Sequence, residues 1–251
     1  MSGIMAKPTV GIFGLTGCAG DQLVVLNCED ELLDLVQLID VKSFLMASSE
    51  NDNDCELDIA LVEGAVVTDH DEQILKAVRR RSKLLVAIGT CALWGGVAAG
   101  NRPDWRALFG AVYGAKSFDW SAAQSRPLSA LVEVDAAITG CPIEKHELLQ
   151  TIANLLNGQL PVATHYPVCT ECKMRENACL MAGANAFCCG PVTAGGCGAR
   201  CPTLGVACFG CRGPAPDANY ASAIEIFAAR GYSEHDIRMR LGTFSRLAGD
   251  A

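Results

Sequence analysis

The chain has 251 residues, and its 28 acidic against 20 basic side chains give a net charge of −8 at pH 7. This balance argues against a nucleic-acid partner, because phosphate binding needs a basic surface. The hydrophobic fraction of 50% and the charged fraction of 19% are typical of a folded protein. No run of about 18 apolar residues is present, so the sequence predicts no transmembrane segment.

The cysteine content is high, with 14 cysteines in the chain. Residues 1–15 (MSGIMAKPTVGIFGL) have neither a secretion signal nor twin arginines, so we expect a cytoplasmic protein. In a reducing compartment, closely spaced cysteines indicate metal binding more often than disulfides. The sequence therefore favours bound metal over a disulfide framework.

The first half of the chain alternates predicted strands and helices. Apolar runs predict strands at 8–17, 41–48, 58–66, 84–92 and 135–141. Helical patterns follow at 29–40, 71–83 and 142–158, the last with Pro142 at its start and Gly158 at its end. Apolar strands separated by helices indicate a parallel sheet covered on both faces. We predict an α/β fold, a flavodoxin-like doubly wound parallel sheet, over residues 1–160.

The pattern changes from about residue 161. A stretch rich in Cys, Gly and Pro follows, with no sustained apolar period, and we expect it to need bound groups instead of a conventional core. Helical patterns return at 218–231, ending at Gly231, and at 233–248, with Ser233 as the capping residue. These features predict a second, small, mostly irregular and helical Cys-rich domain over residues 161–251.

Nine of the 14 cysteines lie between residues 169 and 211, and eight of them form two consecutive groups of four. The groups are Cys169, Cys172, Cys179 and Cys188, and then Cys197, Cys201, Cys208 and Cys211. A tetrahedral metal site and a cubane iron–sulfur cluster each need four sulfur ligands, so two complete sites are predicted. Spacing alone does not separate iron–sulfur clusters from zinc sites that hold the tail together, because Cys-x-x-Cys binds either metal.

Three further cysteines, Cys18, Cys91 and Cys141, are predicted where strands 1, 4 and 5 end. The carboxyl ends of parallel strands meet at one edge of the sheet, where ligands bind. Asp21 stands where a Cys-x-x-Cys pair would have its second cysteine, so it is either an iron ligand or an acid favoured by a helix N-terminus. Glu63 is predicted at the same edge, as a proton relay, a hydrogen-bond acceptor or a solvated loop acid.

Taken together, these motifs resemble the small, iron–sulfur subunit of [NiFe]-hydrogenases over nearly the whole chain. The resemblance rests on TGCAGD, VEGAV, GTCA and GCP in the first half, and on CTEC, CCGPVTAGGCGARCP and CFGCRGP in the second. It is strongest to the cytoplasmic, sulfhydrogenase-type (group 3) small subunits. The resemblance implies a flavodoxin-like domain that holds a proximal [4Fe–4S] cluster and a C-terminal iron–sulfur domain that holds a medial and a distal cluster.

The resemblance also assigns ligands by position. The proximal ligands would be Cys18, Asp21, Cys91 and Cys141; the distal ligands Cys169, Cys172, Cys179 and Cys188; the medial ligands Cys197, Cys201, Cys208 and Cys211. The CCGP string puts Cys188, and not Cys189, at the family's ligand position. Many relatives have cysteine in place of Asp21, although some cytoplasmic members have aspartate. Because both C-terminal sites have four cysteines, we expect three [4Fe–4S] clusters.

The implied function is electron transfer within a hydrogenase complex. Nickel binding in this family uses two Cys-x-x-Cys pairs of a large subunit, so we expect no catalytic residue here and dihydrogen cleavage in that partner. The resemblance implies that electrons pass through the three clusters to a flavin or iron–sulfur diaphorase or another acceptor subunit. Three alternatives stay open: a quinone-reductase relative with the same core, an electron-transfer subunit of a non-hydrogenase oxidoreductase, and a zinc-stapled interaction module.

Overall fold

The computed structural model describes residues 7–100, 110–114, 124–162 and 164–245. Its first half contains a five-stranded parallel sheet with the strand order β2-β1-β3-β4-β5. The strands are β1 (Thr9–Gly14), β2 (Asp40–Phe44), β3 (Leu57–Glu63), β4 (Ser82–Ile88) and β5 (Ala136–Ile138). This is the strand order of flavodoxin-like folds, so the predicted fold class is confirmed.

Helices cover both faces of the sheet. They are α1 (Gly20–Leu26), α2 (Glu29–Leu38), α3 (Asp69–Arg81), α4 (Gly89–Trp94), α5 (Gly96–Ala99) and α6 (Lys145–Leu156). Along β3, Ile59 and Leu61 pack into the core that contains Leu148 of α6, whereas Ala60 and Val62 pack into the core that contains Leu75 of α3. Successive side chains of a strand point to opposite faces, so burial of both faces explains the continuous apolar run.

The elements that follow β4 and β5 differ from the sequence prediction. Gly89 has a φ of +83°, a conformation that ends β4 at Ile88, and Cys91 therefore lies in α4 and not in the strand. β5 ends at Ile138, and Cys141 lies in a turn closed by a bridge between Gly140 and Ile143. Because residues 140–143 form this turn, α6 begins at Lys145 instead of at Pro142. Cys91 and Cys141 therefore lie three residues after the last residues of β4 and β5, and neither is the last residue of its strand.

The second half consists of short helices and loops. The helices are α7 (Val168–Met174), α8 (Leu180–Gly183), α9 (Arg200–Thr203), α10 (Tyr220–Ala229) and α11 (Glu234–Leu241). As predicted, Gly231 has a positive φ after α10, and the Ser233 hydroxyl accepts a hydrogen bond from the Asp236 N–H at the start of α11. The division of the chain near residue 160 stays a prediction. None of the described helices is long and apolar enough to cross a membrane.

The expectation that this half lacks a conventional core is wrong. The Phe187 ring stacks on the Phe227 ring with a centroid distance of 3.7 Å, and Tyr232 packs edge-on against both rings. Phe187 belongs to no periodic stretch, so the sequence pattern does not reveal its partners in α10. Buried Cys188, Cys189 and Cys208 belong to the same core, which connects the cysteine loops to α10 and α11.

Candidate iron–sulfur sites

The four predicted proximal residues lie together at the carboxyl edge of the sheet. Cys18 follows β1, Asp21 lies in the first turn of α1, Cys91 follows β4 and Cys141 follows β5. Burial, and then the charges of Cys18 and Asp21, raise the pKa of Cys91 to about 11. Burial, and then the charges of Cys91, Asp21 and Cys18, raise the pKa of Cys141 to about 12. Each group is therefore within electrostatic reach of the others.

Asp21 is a buried member of this proximal group, with 6% of its surface exposed. Its Oδ1 accepts a hydrogen bond of 2.8 Å from the Ile143 N–H. A Cβ atom at Gly89 would lie 1.8 Å from Oδ2, so only glycine leaves room for this carboxylate. Burial raises the pKa of Asp21 to about 6; the Ile143 N–H lowers it and the Glu63 charge raises it. Its side chain thus faces the cysteines, and iron ligation by Asp21 stays a prediction.

Glu63, the last residue of β3, lies between the strands that precede Cys18 and Cys91. Its exposed fraction is 2%, and its Oε2 accepts a hydrogen bond of 3.1 Å from the Gln22 N–H. The interpretation of Glu63 as a solvated loop acid is therefore wrong. It is a hydrogen-bond acceptor beside the proximal group, and its role as a proton relay stays a prediction.

The four predicted distal cysteines also lie together. Cys169 and Cys172 are one turn apart in α7, and Cys179 precedes α8. Burial, and then the charges of Cys188, Cys172 and Cys179, raise the pKa of Cys169 to about 11. The space that a Cβ at Gly190 would occupy lies 3.3 Å from the Cys169 sulfur and 3.5 Å from the Cys188 sulfur. The Cys169 and Cys188 thiols therefore converge beside Gly190, which has no side chain to fill the space.

The structure distinguishes Cys188 from its neighbour Cys189. The Cys188 charge raises the pKa of Cys169, and the Cys188 and Cys169 sulfurs both lie beside Gly190. Cys189 is buried, and burial and then the Cys188 charge raise its pKa to about 12. Its main chain is part of the local scaffold, because its N–H donates to the Cys208 carbonyl and its carbonyl accepts from the Thr193 hydroxyl. This arrangement favours Cys188 as the distal ligand.

Three of the four predicted medial cysteines are clearly brought together. Burial, and then the charges of Cys197 and Cys201, raise the pKa of Cys211. Cys208 lies at the boundary with the distal group, since its N–H donates to the Cys188 sulfur at 3.2 Å. Burial raises the pKa of Cys208 most, and the cysteine charges that add to this effect are those of Cys189 and Cys188. The structure thus separates Cys208 from the other predicted medial ligands.

A buried junction connects the proximal and medial groups, and the sequence analysis missed it. The Cys141 N–H donates a hydrogen bond to the Cys211 sulfur, and the Thr90 hydroxyl donates to the Cys211 carbonyl at 2.5 Å. Arg212, only 2% exposed, forms two hydrogen bonds with the Glu147 carboxylate of α6, at 2.7 and 2.8 Å. No spacing rule pairs these residues, because the partners are far apart in the sequence.

All three guanidinium nitrogens of Arg212 donate hydrogen bonds in this junction. Its Nε donates to the Gly195 carbonyl at 2.6 Å, and its Nη1 also donates to the Thr139 carbonyl at 3.0 Å. A Cβ at Gly196 would lie 2.2 Å from both Arg212 Nη2 and Glu147 Oε1. Glycine at position 196 is therefore required for the ion pair to form in this place.

The donor groups fit iron–sulfur clusters. Thiols dominate all three groups, and backbone N–H groups point at the sulfurs of Cys188 and Cys211, as cluster sites need. A Cβ at Gly96 would lie 2.5 Å from the Cys91 sulfur, so glycine keeps space open beside this thiol as well. Among the described residues, no three His, Cys, Asp or Glu side chains converge on a single ion. A cubane does not require such convergence, because each ligand binds a different iron.

Comparison with known proteins gives concordant results. Residues 18–155 match the family described as NADH ubiquinone oxidoreductase, 20 Kd subunit. The chain is 39% identical to Sulfhydrogenase 2 subunit delta of Pyrococcus furiosus over 237 residues, which cover 94% of this chain and 99% of that protein. It is 30% identical to one subunit of the F420-non-reducing hydrogenase of Methanocaldococcus jannaschii, with 81% of each chain covered.

The fold has solved counterparts as well. A chain of an NAD+-reducing [NiFe]-hydrogenase, in the H2-reduced state, superposes with a TM-score of 0.54 and 25% sequence identity. This match covers 62% of the present chain and 95% of that chain. The family match spans more than half of the sequence, and the sulfhydrogenase match spans nearly all of it. The chain therefore belongs to the NADH ubiquinone oxidoreductase 20 Kd family and, within it, to the small iron–sulfur subunits of [NiFe]-hydrogenases.

Proposed function

We propose that this hydrogenase subunit transfers electrons through three [4Fe–4S] clusters. The observation that supports the proposal is the clustering of ten cysteines and one aspartate into a proximal, a medial and a distal group. Cys208, which contacts Cys188 at the boundary with the distal group, is assigned to the medial cluster by its position in the sequence. The proposed ligands are Cys18, Asp21, Cys91 and Cys141 for the proximal cluster, Cys197, Cys201, Cys208 and Cys211 for the medial cluster, and Cys169, Cys172, Cys179 and Cys188 for the distal cluster. When bound, such clusters supply one-electron redox chemistry.

The protein's own contribution is to fix the ligands and to control access of water. Cys188 and Cys208 are buried, so the boundary between the medial and distal groups is shielded. Cys18 and Cys141 are exposed at the sheet edge, and Cys179 is exposed in the tail. The chain thus offers accessible thiols at the proximal and distal groups, as a relay between two partners requires.

We assign the hydrogenase large subunit to the sheet edge around Cys18 and Glu63. This surface presents exposed proximal thiols, which an isolated subunit would leave open to solvent. A second partner, a flavin or iron–sulfur diaphorase or another acceptor subunit, is proposed at the distal group near Cys179. One relative is described as F420-non-reducing and a solved counterpart as NAD+-reducing, and identification of the co-purifying subunits tests which acceptor this chain serves.

A cytoplasmic location is part of the proposal. All 14 cysteines are free thiols, and none is paired in a disulfide. Cysteine-rich proteins of reducing compartments use their thiols for metal binding. Cell fractionation tests this location, and recovery of the chain from an exported fraction would contradict it.

The experiment that tests the proposed function is anaerobic purification of the native complex, followed by metal and acid-labile sulfide analysis. We expect about twelve irons per chain, four for each cluster, together with a brown colour. Zinc without iron would overturn the proposal and would indicate an interaction module whose tail is held together by zinc. The co-purifying subunits identify the complex: a nickel-containing large subunit is expected, and a different catalytic partner would indicate a non-hydrogenase oxidoreductase.

A further inference from the structure

Glu171 lies within the distal motif but contacts the medial loop. It stands between Cys169 and Cys172 in α7. Its Oε1 accepts a hydrogen bond of 2.6 Å from the Gly196 N–H, and its Oε2 accepts one of 3.1 Å from the Ala199 N–H. Its Oε2 also lies 3.9 Å from the Cys197 sulfur. A residue within the distal motif thus contacts a predicted ligand of the medial group.

The Glu171 carboxylate is held as a hydrogen-bond acceptor. Both of its oxygens take backbone N–H donors, and the Tyr166 hydroxyl also bonds to it. A carboxylate has acceptor sites on both oxygens, and here each oxygen accepts a backbone hydrogen bond. Two nearby arginines are engaged by other carboxylates, since Arg200 pairs with Glu144 and Arg212 pairs with Glu147. Glu171 therefore provides a fixed negative charge beside Cys197.

Another cation near this loop is Arg175. Its guanidinium lies against Gly198, since a Cβ atom added at Gly198 would be 2.8 Å from Arg175 Nη2. Arg175 lines the same surface cavity as Glu171 and Cys197. Its side chain is exposed to solvent, which weakens its electrostatic effect on the sulfur. The half-buried Glu171 carboxylate, 3.9 Å away, is therefore a negative charge in direct contact with the Cys197 sulfur.

We propose that Glu171, although part of the distal motif, lowers the reduction potential of the medial cluster. The inference rests on the proposed function, because it requires a cluster at Cys197. Reduction adds one electron, supplied by dihydrogen oxidation in the complex, and the added negative charge is repelled by the carboxylate. The Gly196 and Ala199 N–H groups hold the carboxylate in this position, so its distance from the Cys197 sulfur is fixed.

The test is a redox titration of the intact complex, followed by electron paramagnetic resonance, with iron analysis of every sample. Glu171→Gln removes the charge and keeps the shape, so we expect one midpoint to become more positive. Glu171→Asp keeps the charge but shortens the side chain by one methylene group, which moves the carboxylate away from the Cys197 sulfur. We expect a smaller positive shift of the same midpoint potential. Glu225→Gln removes an exposed acid from α10 and is the matched control, with no shift expected.

The shifted midpoint is assigned with ligand variants. The signal altered by Cys201→Ser marks the medial cluster, and the signal altered by Cys179→Ser marks the distal one. An unchanged medial midpoint in Glu171→Gln, or a shift confined to the distal cluster, would overturn the inference. If Glu171→Gln does not retain its clusters, Glu171→Asp becomes the deciding variant. A positive shift of its medial midpoint potential would support the inference, and an unchanged medial midpoint would overturn it. Absence of iron from the wild-type complex would instead refute the proposed function.

Discussion

The side chain of Asp21 differs from that of an ordinary acid at a helix N-terminus. Such acids are usually solvated and interact weakly with the helix dipole. Asp21 is instead buried, bonded to the Ile143 N–H and enclosed by Gly89. Its burial near Cys18, Cys91 and Cys141 supports the proposal that it is the fourth donor of the proximal group. An oxygen donor at this place, in contrast to a thiolate, should give the proximal cluster a distinct potential.

We predict that Asp21→Cys retains all clusters and shifts the midpoint of one of them. The thiolate replaces the carboxylate at the same ligand position, so the iron content stays the same while the ligand field changes. Asp21→Ala removes the donor and should lower the iron content through loss or damage of the proximal cluster. Iron analysis and redox titration of the complex measure both effects. Unchanged iron content and unchanged midpoints in both variants would exclude Asp21 as a ligand.

At the scale of the secondary-structure element, α3 illustrates how local sequence sets a boundary beside the site. The Thr68 hydroxyl accepts a hydrogen bond from the Asp71 N–H, and Asp71 Oδ2 accepts one from the Thr68 N–H, forming a capping box. The same Oδ2 accepts hydrogen bonds from the Val67 N–H and the Thr16 hydroxyl. Asp71 therefore connects the start of α3 to the loop that leads to Cys18.

We predict that Asp71→Asn destabilises the protein by about 1–2 kcal/mol at neutral pH. Burial raises the pKa of Asp71, but the Thr68 and Val67 N–H groups and the two hydroxyls outweigh it and hold the pKa below its ordinary value of 3.8. A lowered folded-state pKa gives stability that is present above the unfolded-state pKa and is lost as the pH falls through the folded-state value. The stability difference between the two proteins should therefore be equal at pH 7 and at about pH 5.5.

Thermal unfolding of the cluster-loaded protein measures this difference. Asp69→Asn is the control, because Asp69 lies in the same first turn without the capping-box role, and its loss should cost much less. A difference that grows between pH 7 and about pH 5.5 would contradict the assigned direction of the Asp71 pKa shift.

The elements themselves could be predicted well, and their ends less well. Burial on both faces gave β3 and β4 continuous apolar runs, and the acidic start and basic end of α3 fit its dipole. The end of β4 depends on the left-handed backbone of Gly89, which the sequence pattern does not specify. The packing of Phe187 on Phe227 was also beyond prediction, because it joins residues from an irregular loop and a helix.

At the scale of the whole molecule, the Arg212–Glu147 pair joins the sheet domain to the cysteine-rich tail. Its partners are 65 residues apart in the sequence, and the guanidinium is buried. A buried ion pair adds little net stability compared with an apolar pair, but removal of one partner leaves an unpaired buried charge. The pair therefore specifies how the Cys211 loop sits against the turn that contains Cys141.

We predict that Glu147→Ala destabilises the cluster-loaded protein by about 3–5 kcal/mol, because it leaves the Arg212 charge buried without a partner. Thermal unfolding, followed by the visible absorption of the clusters, measures the loss. Lys76→Ala breaks the exposed pair between Lys76 and Glu72 and is the matched control, with little change expected. Equal small effects of the two substitutions would show that the junction does not depend on this pair.

The candidate site was predictable to the extent that it follows from ligand spacing. Cysteine spacing and strand ends placed Cys18, Cys91 and Cys141 at one edge, where the structure has them together. Spacing could not reveal that Cys208 contacts Cys188, nor that Arg212 pairs with Glu147, because side-chain contacts between distant segments leave no periodic signal. Glu171 shows the same point, since this residue of the distal motif contacts Cys197 of the medial group.

The different origins of the three ligand groups have a consequence for biogenesis. The tail thiols lie within residues 169–211, so short loop closures bring them together. The sheet-edge thiols come from segments after β1, β4 and β5, and they meet only when that sheet is complete. Metal insertion in the tail is thus compatible with a partly folded chain, whereas insertion at the edge requires the finished domain. Under the proposed function, a complete proximal site would therefore be a sign that the sheet has folded.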